Sequence, residues 1–234
     1  MDLFFHNTID LQNPTFVFSD EESRHLSKVL RKQPGDLVAV TDGKGLEVHV
    51  QIQNISSRKT NGHIVETTTH PAPKHRTHIA IAPTKNIVRL EWFLEKATEI
   101  GIHRISPILC KHSERKVIKS DRLTKILQAA LKQSQQFHLP QLDELISFEA
   151  FVAQQQKGYI AHCNTEEKID LADIAPTEQS NCILIGPEGD FSMDEIVFAQ
   201  KNNFQPISLG PQRLRTETAA LVACHTLSLI HRNI

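Results

Sequence analysis

The sequence predicts an α/β fold preceded by a small β-barrel, and three observations carry that prediction. From Ile79 onward, apolar strand-like runs alternate with stretches of helical period, the rhythm of a mainly parallel sheet. Before residue 70, short alternating strands follow one another closely, separated by turn dipeptides, as in a small barrel. Between the two lies His70-Pro71-Ala72-Pro73-Lys74-His75-Arg76, whose prolines favour extended backbone and mark a linker. The expected domains are therefore residues 1–70 and 77–234.

In the first domain, Phe16-Val17-Phe18 is a short apolar run. Ser19-Asp20-Glu21-Glu22 fits a capping box, with the Ser19 hydroxyl accepting from the new helix and Glu22 reaching back. The short helix that follows is expected to place Leu26, Val29 and Leu30 on one face, and Pro34-Gly35-Asp36 ends it. Leu37 to Val40 reads as a strand and Asp42-Gly43-Lys44-Gly45 as a hairpin turn. Leu46, Val48, Val50 and Ile52 then alternate with polar residues, as in a half-buried strand. Asn61-Gly62 reads as a second hairpin turn, leading into a strand from His63 to Thr68.

In the second domain, Ile79 to Ala82 is a buried-type strand. Arg89 to Ile100 is a helix with Leu90, Phe93, Ala97 and Ile100 on one face, stopped by Gly101. Ile102 to Leu109 is the next strand, and Ser120 opens a helix whose core face is Leu123, Ile126, Leu127, Ala130 and Leu131. A helix from Ser147 to Lys157 and a strand Tyr159-Ile160-Ala161 follow. Cys182 to Ile185 is a strand entering a glycine-rich turn, and Ser192-Met193-Asp194-Glu195 is a second capping box. Pro206 to Leu209 is the last strand, and Thr216 to His231 is a helix apolar on most sides.

Composition narrows the class. The net charge is −1, from 26 Lys and Arg against 27 Asp and Glu, so a nucleic-acid binder of this composition must use local basic patches. Such patches exist at Lys28, Arg31 and Lys32, at Lys74, His75 and Arg76, and along the run from Lys111 through Arg115, Lys116, Lys119 and Arg122 to Lys125. A solvated surface is the ordinary meaning of such clusters. The four cysteines lie far apart without a CxxC pair, which fits reduced thiols in a cytoplasmic protein. The histidines form no HxxxH or CxxH spacing, so no metal site is expected. Met1-Asp2-Leu3-Phe4-Phe5 lacks the basic stretch and long apolar run of a signal peptide, and nothing approaches a membrane span.

Two segments carry candidate chemistry. Gly186-Pro187-Glu188-Gly189-Asp190-Phe191 follows a strand and precedes a capped helix. Glycines there let backbone approach a ligand, beyond the carboxyl end of a strand. The second segment, Leu209-Gly210-Pro211-Gln212-Arg213-Leu214-Arg215-Thr216-Glu217-Thr218-Ala219, gathers two arginines, two threonines and a glutamate at a helix entrance. Backbone N–H groups at such an entrance suit polar or anionic ligand groups. The chain has no GxxxxGK[ST] phosphate loop and no GxGxxG after the first strand of the α/β region.

With these segments in view, the chain resembles the bacterial 16S ribosomal RNA uridine-N3 methyltransferases (the RsmE family) of the SPOUT superfamily. The resemblance rests on His25-Leu26 through Arg31 with Gly35-Asp36, Glu91-Trp92 through Gly101, and Ser113-Glu114-Arg115. It continues through Gln133-Ser134 with Leu139-Pro140 and both loops above, in order along nearly the whole chain. It implies a PUA-like RNA-binding barrel followed by a methyltransferase domain with a deep trefoil knot. It also implies a homodimer acting on the small ribosomal subunit, with S-adenosylmethionine held in the knotted loops.

Carried residue by residue, the resemblance assigns cofactor binding to His162, Gly186, Pro187, Glu188, Gly189, Leu209, Gly210, Leu214, Thr216, Thr218 and Ala219. It assigns RNA binding to Arg24, Lys28, Arg31, Arg115 and Arg213, and catalysis to Arg215 and Glu217. Arg215 would stabilise an anionic uracil. Glu217 would orient Arg215, bind the cofactor's ammonium or act as base, and the sequence does not choose among these. Three positions depart from the family pattern. Asp190 stands where a glycine is usual, Gln136 where an arginine is usual, and Gln212-Arg213 shifts an arginine by one place. If position 190 needs a positive φ, aspartate tolerates it better than most residues. A ribose 2′-O-methyltransferase of the same superfamily would share both loops and differ in the target atom. A non-catalytic RNA-binding protein on this scaffold would lack cofactor binding.

Overall fold

The structure is a computed structural model that describes residues 1–164, 167–174 and 181–231. The chain forms two units, one of Met1–Ala72 with Leu131–Leu139 and the other of Pro73–Ala130 with Pro140–Ile234.

The first unit is a five-stranded sheet of β1 (Leu3–Phe5), β2 (Thr15–Val17), β3 (Leu37–Thr41), β4 (Leu46–Asn54) and β5 (Asn61–Thr69), in the order β1-β3-β4-β5-β2. The alternation in β4 turns Val48, Val50 and Ile52 into a core with Phe4, Phe18 and Leu26. Strands β1 and β2 remain edges, so hydrogen bonds do not close the sheet. Aromatic rings bring its two ends together instead: Phe4 meets Phe18 edge to face at 5.6 Å, and Phe18 meets Phe16 at 4.8 Å.

Two sequence expectations change here. The capping box at Ser19 forms and opens α1 (Asp20–Arg24), but the helix widens at once into a π-turn over His25–Val29. The bond from the Leu30 N–H to the His25 carbonyl, 3.0 Å, spans five residues. The extra residue per turn rotates Val29 out to 65% exposure, while Leu26 stays buried. Asn61-Gly62 is not a turn but the start of β5, opposite a register shift in β4. A β-carbon on Gly62 would lie 2.4 Å from the Gln51 carbonyl oxygen, so the glycine serves close strand approach. Sequence also gave no hint that residues 131–139 belong to this unit. Gly45 N–H donates to the Phe137 carbonyl (2.8 Å), Leu139 N–H to the Gly43 carbonyl (2.8 Å), and the Phe137 ring stacks on His70.

The second unit begins with β6 (Thr77–Ile81), α2 (Ile87–Ile100), β7 (Arg104–Leu109), α3 (Ser120–Gln133), β8 (Gln141–Leu142), β9 (Ile146–Ser147) and α4 (Phe148–Ala153). It continues with β10 (Gly158–Ala161), β11 (Ile169–Asp170), β12 (Asn181–Ile185), α5 (Met193–Lys201), β13 (Phe204–Ser208) and α6 (Thr216–His231). The sheet order is β11-β13-β10-β12-β6-β7-β8, with β9 also on β7, and every pairing is parallel. The alternating strand and helix pattern thus yields the parallel α/β sheet expected of it. Gly101 ends α2 at φ +95°, and the Ser192 capping box opens α5. Helix α4 stops at Ala153, short of the expected Lys157, where the apolar spacing gives way to Gln154-Gln155-Gln156. Among the described residues no helix is long and apolar enough to cross a membrane.

A polar chain runs from buried His78 and Ser106 out to partly exposed Asp143 and Arg104. The His78 Nε2–H donates to Ser106 Oγ at 2.7 Å, Ser106 donates to Asp143, and Arg104 Nε donates to the same carboxylate at 2.7 Å. Burial, helped by the Arg104 charge, depresses the His78 pKa to about 4. Burial raises the Asp143 pKa, but the Arg104 and Ser106 hydrogen bonds reverse that and hold it below its ordinary value. Folded His78 is therefore neutral where the unfolded residue, with a pKa near 6.5, takes up a proton. Stability falls with pH through that window, by about 2 kcal/mol between about pH 7 and about pH 5. Urea unfolding of wild type and His78→Gln at both pH values checks this. The variant is expected to lose that part of the pH dependence, and an unchanged slope would show that His78 is not its source.

Candidate active site

Strands β10, β12 and β13 are neighbours and end level. Ala161 pairs with Ile185 on one side and with Ile207 on the other. The chain segments after all three therefore leave the sheet at one edge, where open α/β sheets hold ligands. They enclose a cavity of about 640 Å³, within the ordinary range for small-molecule sites. Ile185, Ile207 and Ala219 supply apolar wall; Lys168, Glu188, Asp190, Arg213 and Arg215 supply charge.

The structure brings most of the predicted residues to this cavity. His162 follows β10, and Gly186, Pro187 and Glu188 follow β12. Residues 207–216 line it without a break, taking in Leu209, Gly210, Arg213, Leu214, Arg215 and Thr216, and Ala219 adds the next turn of α6. Gly210 sits at φ +107°, a conformation that a β-carbon would strain. Of the residues predicted for cofactor binding or catalysis, Gly189, Glu217 and Thr218 lie outside the lining. Gly189 faces His112, whose Cβ would stand 3.1 Å from an added β-carbon. Glu217 and Thr218 turn away because helical spacing sends Thr216 and Ala219 to the same face and the two residues between them elsewhere.

Hydrogen bonds tie the loops to one another. Thr216 Oγ1 donates to the Gly186 carbonyl at 3.0 Å, joining the two glycine-containing segments. The Lys85 N–H donates to Glu188 Oε1 at 2.9 Å, bracing the turn after β12 against the loop after β6. Arg115, expected as an RNA contact, donates Nε to the Thr84 carbonyl (3.0 Å) and a terminal nitrogen to the Lys85 carbonyl (2.7 Å). It braces that same loop. Glu217 is almost fully buried, 3.6 Å from Arg89 Nε of α2, with Oε2 lacking a hydrogen-bond partner among the described residues. Arg213 and Arg215 are exposed. In the first unit Arg24, Lys28 and Arg31 are exposed and form no ion pair among the described residues, whereas Lys32 binds Asp2 at 2.9 Å.

Sequence reasoning missed Arg89, Lys168 and the hydrogen bonds of Asp190. The first two have no local motif, since only the packing of α2 on α6 and the position of Lys168 just before β11, the strand beside β13, bring them in. Asp190 was visible as a departure from pattern, and its φ of +62° is the conformation in which aspartate is tolerated.

Comparison with known proteins decides the family. Residues 70–228 match a family model described as an RNA methyltransferase domain, and residues 18–60 match an RNA methyltransferase PUA domain. The chain belongs to the RNA methyltransferase family. A crystal structure of a probable rRNA-methyltransferase from Porphyromonas gingivalis is 36% identical and superposes with a TM-score of 0.91 over 99% of this chain and 100% of that one. The Ribosomal RNA small subunit methyltransferase E of Bacillus subtilis is 28% identical over 92% of this chain and 90% of its own length. The protein of the same name from Neisseria gonorrhoeae, crystallised bound to S-adenosyl methionine, is 22% identical and shares the fold at a TM-score of 0.86, over 97% and 96% of the two chains. The methyltransferase thus pairs a PUA-like N-terminal domain with a parallel-sheet catalytic domain.

The Thr216–Gly186 bond joins both loops, so removing it tests their interdependence. Thr216→Val keeps the shape and leaves the buried carbonyl unsatisfied, with an expected loss of about 1–3 kcal/mol. Urea unfolding measures this, and Thr216→Ser is expected to restore most of it. Equal stability of all three proteins would show that the bond does not hold the site.

Proposed function

We propose that this methyltransferase transfers a methyl group from S-adenosylmethionine to N3 of a uridine in the 16S RNA of the small ribosomal subunit. The observation that carries the proposal is the unbroken lining of one cavity by residues 207–216, with Arg213 and Arg215 exposed there, in a chain of the RNA methyltransferase family. The relatives named small subunit methyltransferases support the substrate.

The residues present fit the cofactor. The cavity combines apolar wall with acidic Glu188, which suits a ligand carrying ammonium and sulfonium charges. His162, Gly186, Pro187, Glu188, Leu209, Gly210, Leu214, Thr216 and Ala219 would hold it, with Gly189 and Thr218 shaping the loops behind them. When bound, the cofactor supplies an electrophilic methyl group on a positively charged sulfur. N3 of uridine is a poor nucleophile until its proton passes to solvent water, and negative charge then spreads to the uracil oxygens. Arg215 donates to those oxygens and stabilises that charge. Glu217 lies outside the lining, so we assign it to holding the entrance of α6 against α2 through Arg89 and not to taking the N3 proton.

RNA affinity is assigned to Arg24, Lys28 and Arg31 on the PUA-like unit and to Arg213 beside the cavity, with residues 1–70 and 77–234 as the two working domains save for 131–139, which belong with the first. Arg115 acts by bracing the loop after β6. The trefoil knot and the homodimer follow from the resemblance to SPOUT enzymes. Exposed Val88 and Trp92 on α2 and Leu229 on α6 give a second copy apolar surface to cover. A ribosomal substrate places the enzyme in the cytoplasm.

Small subunits from cells lacking the enzyme, treated with protein and cofactor, test the proposal. N3-methylation removes uridine's Watson–Crick donor, so reverse transcription is expected to stop or misincorporate beside the target. New protection from alkaline cleavage without a pairing block would identify a ribose 2′-O-methyltransferase instead. Arg215→Ala is expected to slow single-turnover transfer by on the order of 10²-fold. A full rate in that variant would remove Arg215 from the chemistry.

A further inference from the structure

Asp190 joins three segments that leave the sheet on the same side. Its Oδ2 accepts from the Cys163 N–H after β10 at 2.8 Å, and its Oδ1 accepts from the Phe191 N–H at 2.8 Å. Its own N–H donates to the Pro187 carbonyl at 2.9 Å, closing the turn after β12. Its carbonyl accepts from His112 Nδ1, after β7, at 3.0 Å. The carboxylate therefore ties two walls of the cavity to each other, since both Cys163 and Asp190 line it. The backbone is held at φ +62°, where a β-carbon is disfavoured. A residue kept there with both carboxylate oxygens engaged recovers through its side chain what its backbone costs.

We propose that Asp190 is a positioning residue, a latch that preorganises the cofactor cavity by holding residues 162–164 against the turn 187–190. It does not touch the reacting atoms. The latch rests on the assignment of this cavity to S-adenosylmethionine. Its effect is on affinity: with the loops held apart from each other by thermal motion, the ligand must order them on binding, and that ordering weakens the complex.

Glycine and asparagine separate the parts of this device. Asp190→Gly relaxes the positive φ and deletes the latch, so the turn itself still forms. Asp190→Asn keeps a side chain that tolerates this φ and retains one acceptor oxygen, so it should fall between wild type and glycine. The readout independent of activity is the Cys163 amide. Labelling with [¹⁵N]cysteine marks just four amides, those of Cys110, Cys163, Cys182 and Cys224. Of these only Cys163 donates to Asp190.

Amide exchange by NMR and S-adenosylmethionine binding by calorimetry are measured on the full chain. In Asp190→Gly the Cys163 amide is expected to exchange on the order of tenfold faster, with the other three unchanged, and the cofactor Kd to rise roughly tenfold. The KM for cofactor should rise by a larger factor than kcat falls. Unchanged Cys163 exchange in both variants would overturn the latch. Faster exchange with wild-type Kd would also overturn it, by showing that the tie does not serve the cavity. Wild-type protein that binds no S-adenosylmethionine, with Cys163 exchange still dependent on Asp190, would sink the cofactor assignment and leave the tie between loops standing.

Discussion

The level, parallel pairing of β10 with β12 and β13 is the constraint on which the site depends. Because Ala161, Ile185 and Ile207 stand in register, three loops emerge together and none can form its part of the cavity alone. Parallel strands cannot be joined by tight hairpins, so each of these loops must cross over or lead to a helix. Their backbone groups consequently need partners outside regular structure. Those partners are side chains with chemical identities the fold requires: Thr216 for the Gly186 carbonyl, Glu188 for the Lys85 N–H, Asp190 for the Cys163 N–H.

Charge is distributed in keeping with the proposed chemistry. Acidic groups in the lining are engaged by backbone N–H donors, which fixes their positions before any ligand arrives. Arg213 and Arg215 remain exposed, open to a polyanion approaching from solvent. Glu217, nearly buried against Arg89, is set apart from them on the neighbouring face of α6, so one short motif serves both the cavity and the packing of α6 on α2.

Local signals in the sequence were legible wherever one segment decides its own conformation. The Ser19 and Ser192 capping boxes, the Gly101 stop and the alternation of Val48, Val50 and Ile52 all depend on residues within a few positions of one another. The two candidate loops were legible for the same reason, since each follows an apolar strand and opens a helix. What was not legible depends on distant partners. Val29 leaves the core because a π-turn intervenes, and Gly62 marks close approach to Gln51 across a register shift. Residues 131–139 join the first unit through bonds to Gly43 and Gly45, nearly a hundred residues earlier in the chain, which no periodicity announces. In the site, helical phase separates Thr216 and Ala219 from Glu217 and Thr218, a distinction that a motif read as a string cannot make.

The central claim is that the methyl donor sits at the shared carboxyl edge of β10, β12 and β13. A crystal structure of the chain grown with S-adenosylhomocysteine tests it most directly. The account predicts density for the ligand against residues 186–188 and 209–214, with Thr216 still bonded to the Gly186 carbonyl. Density bound elsewhere on the chain, with this cavity filled only by solvent, would contradict it.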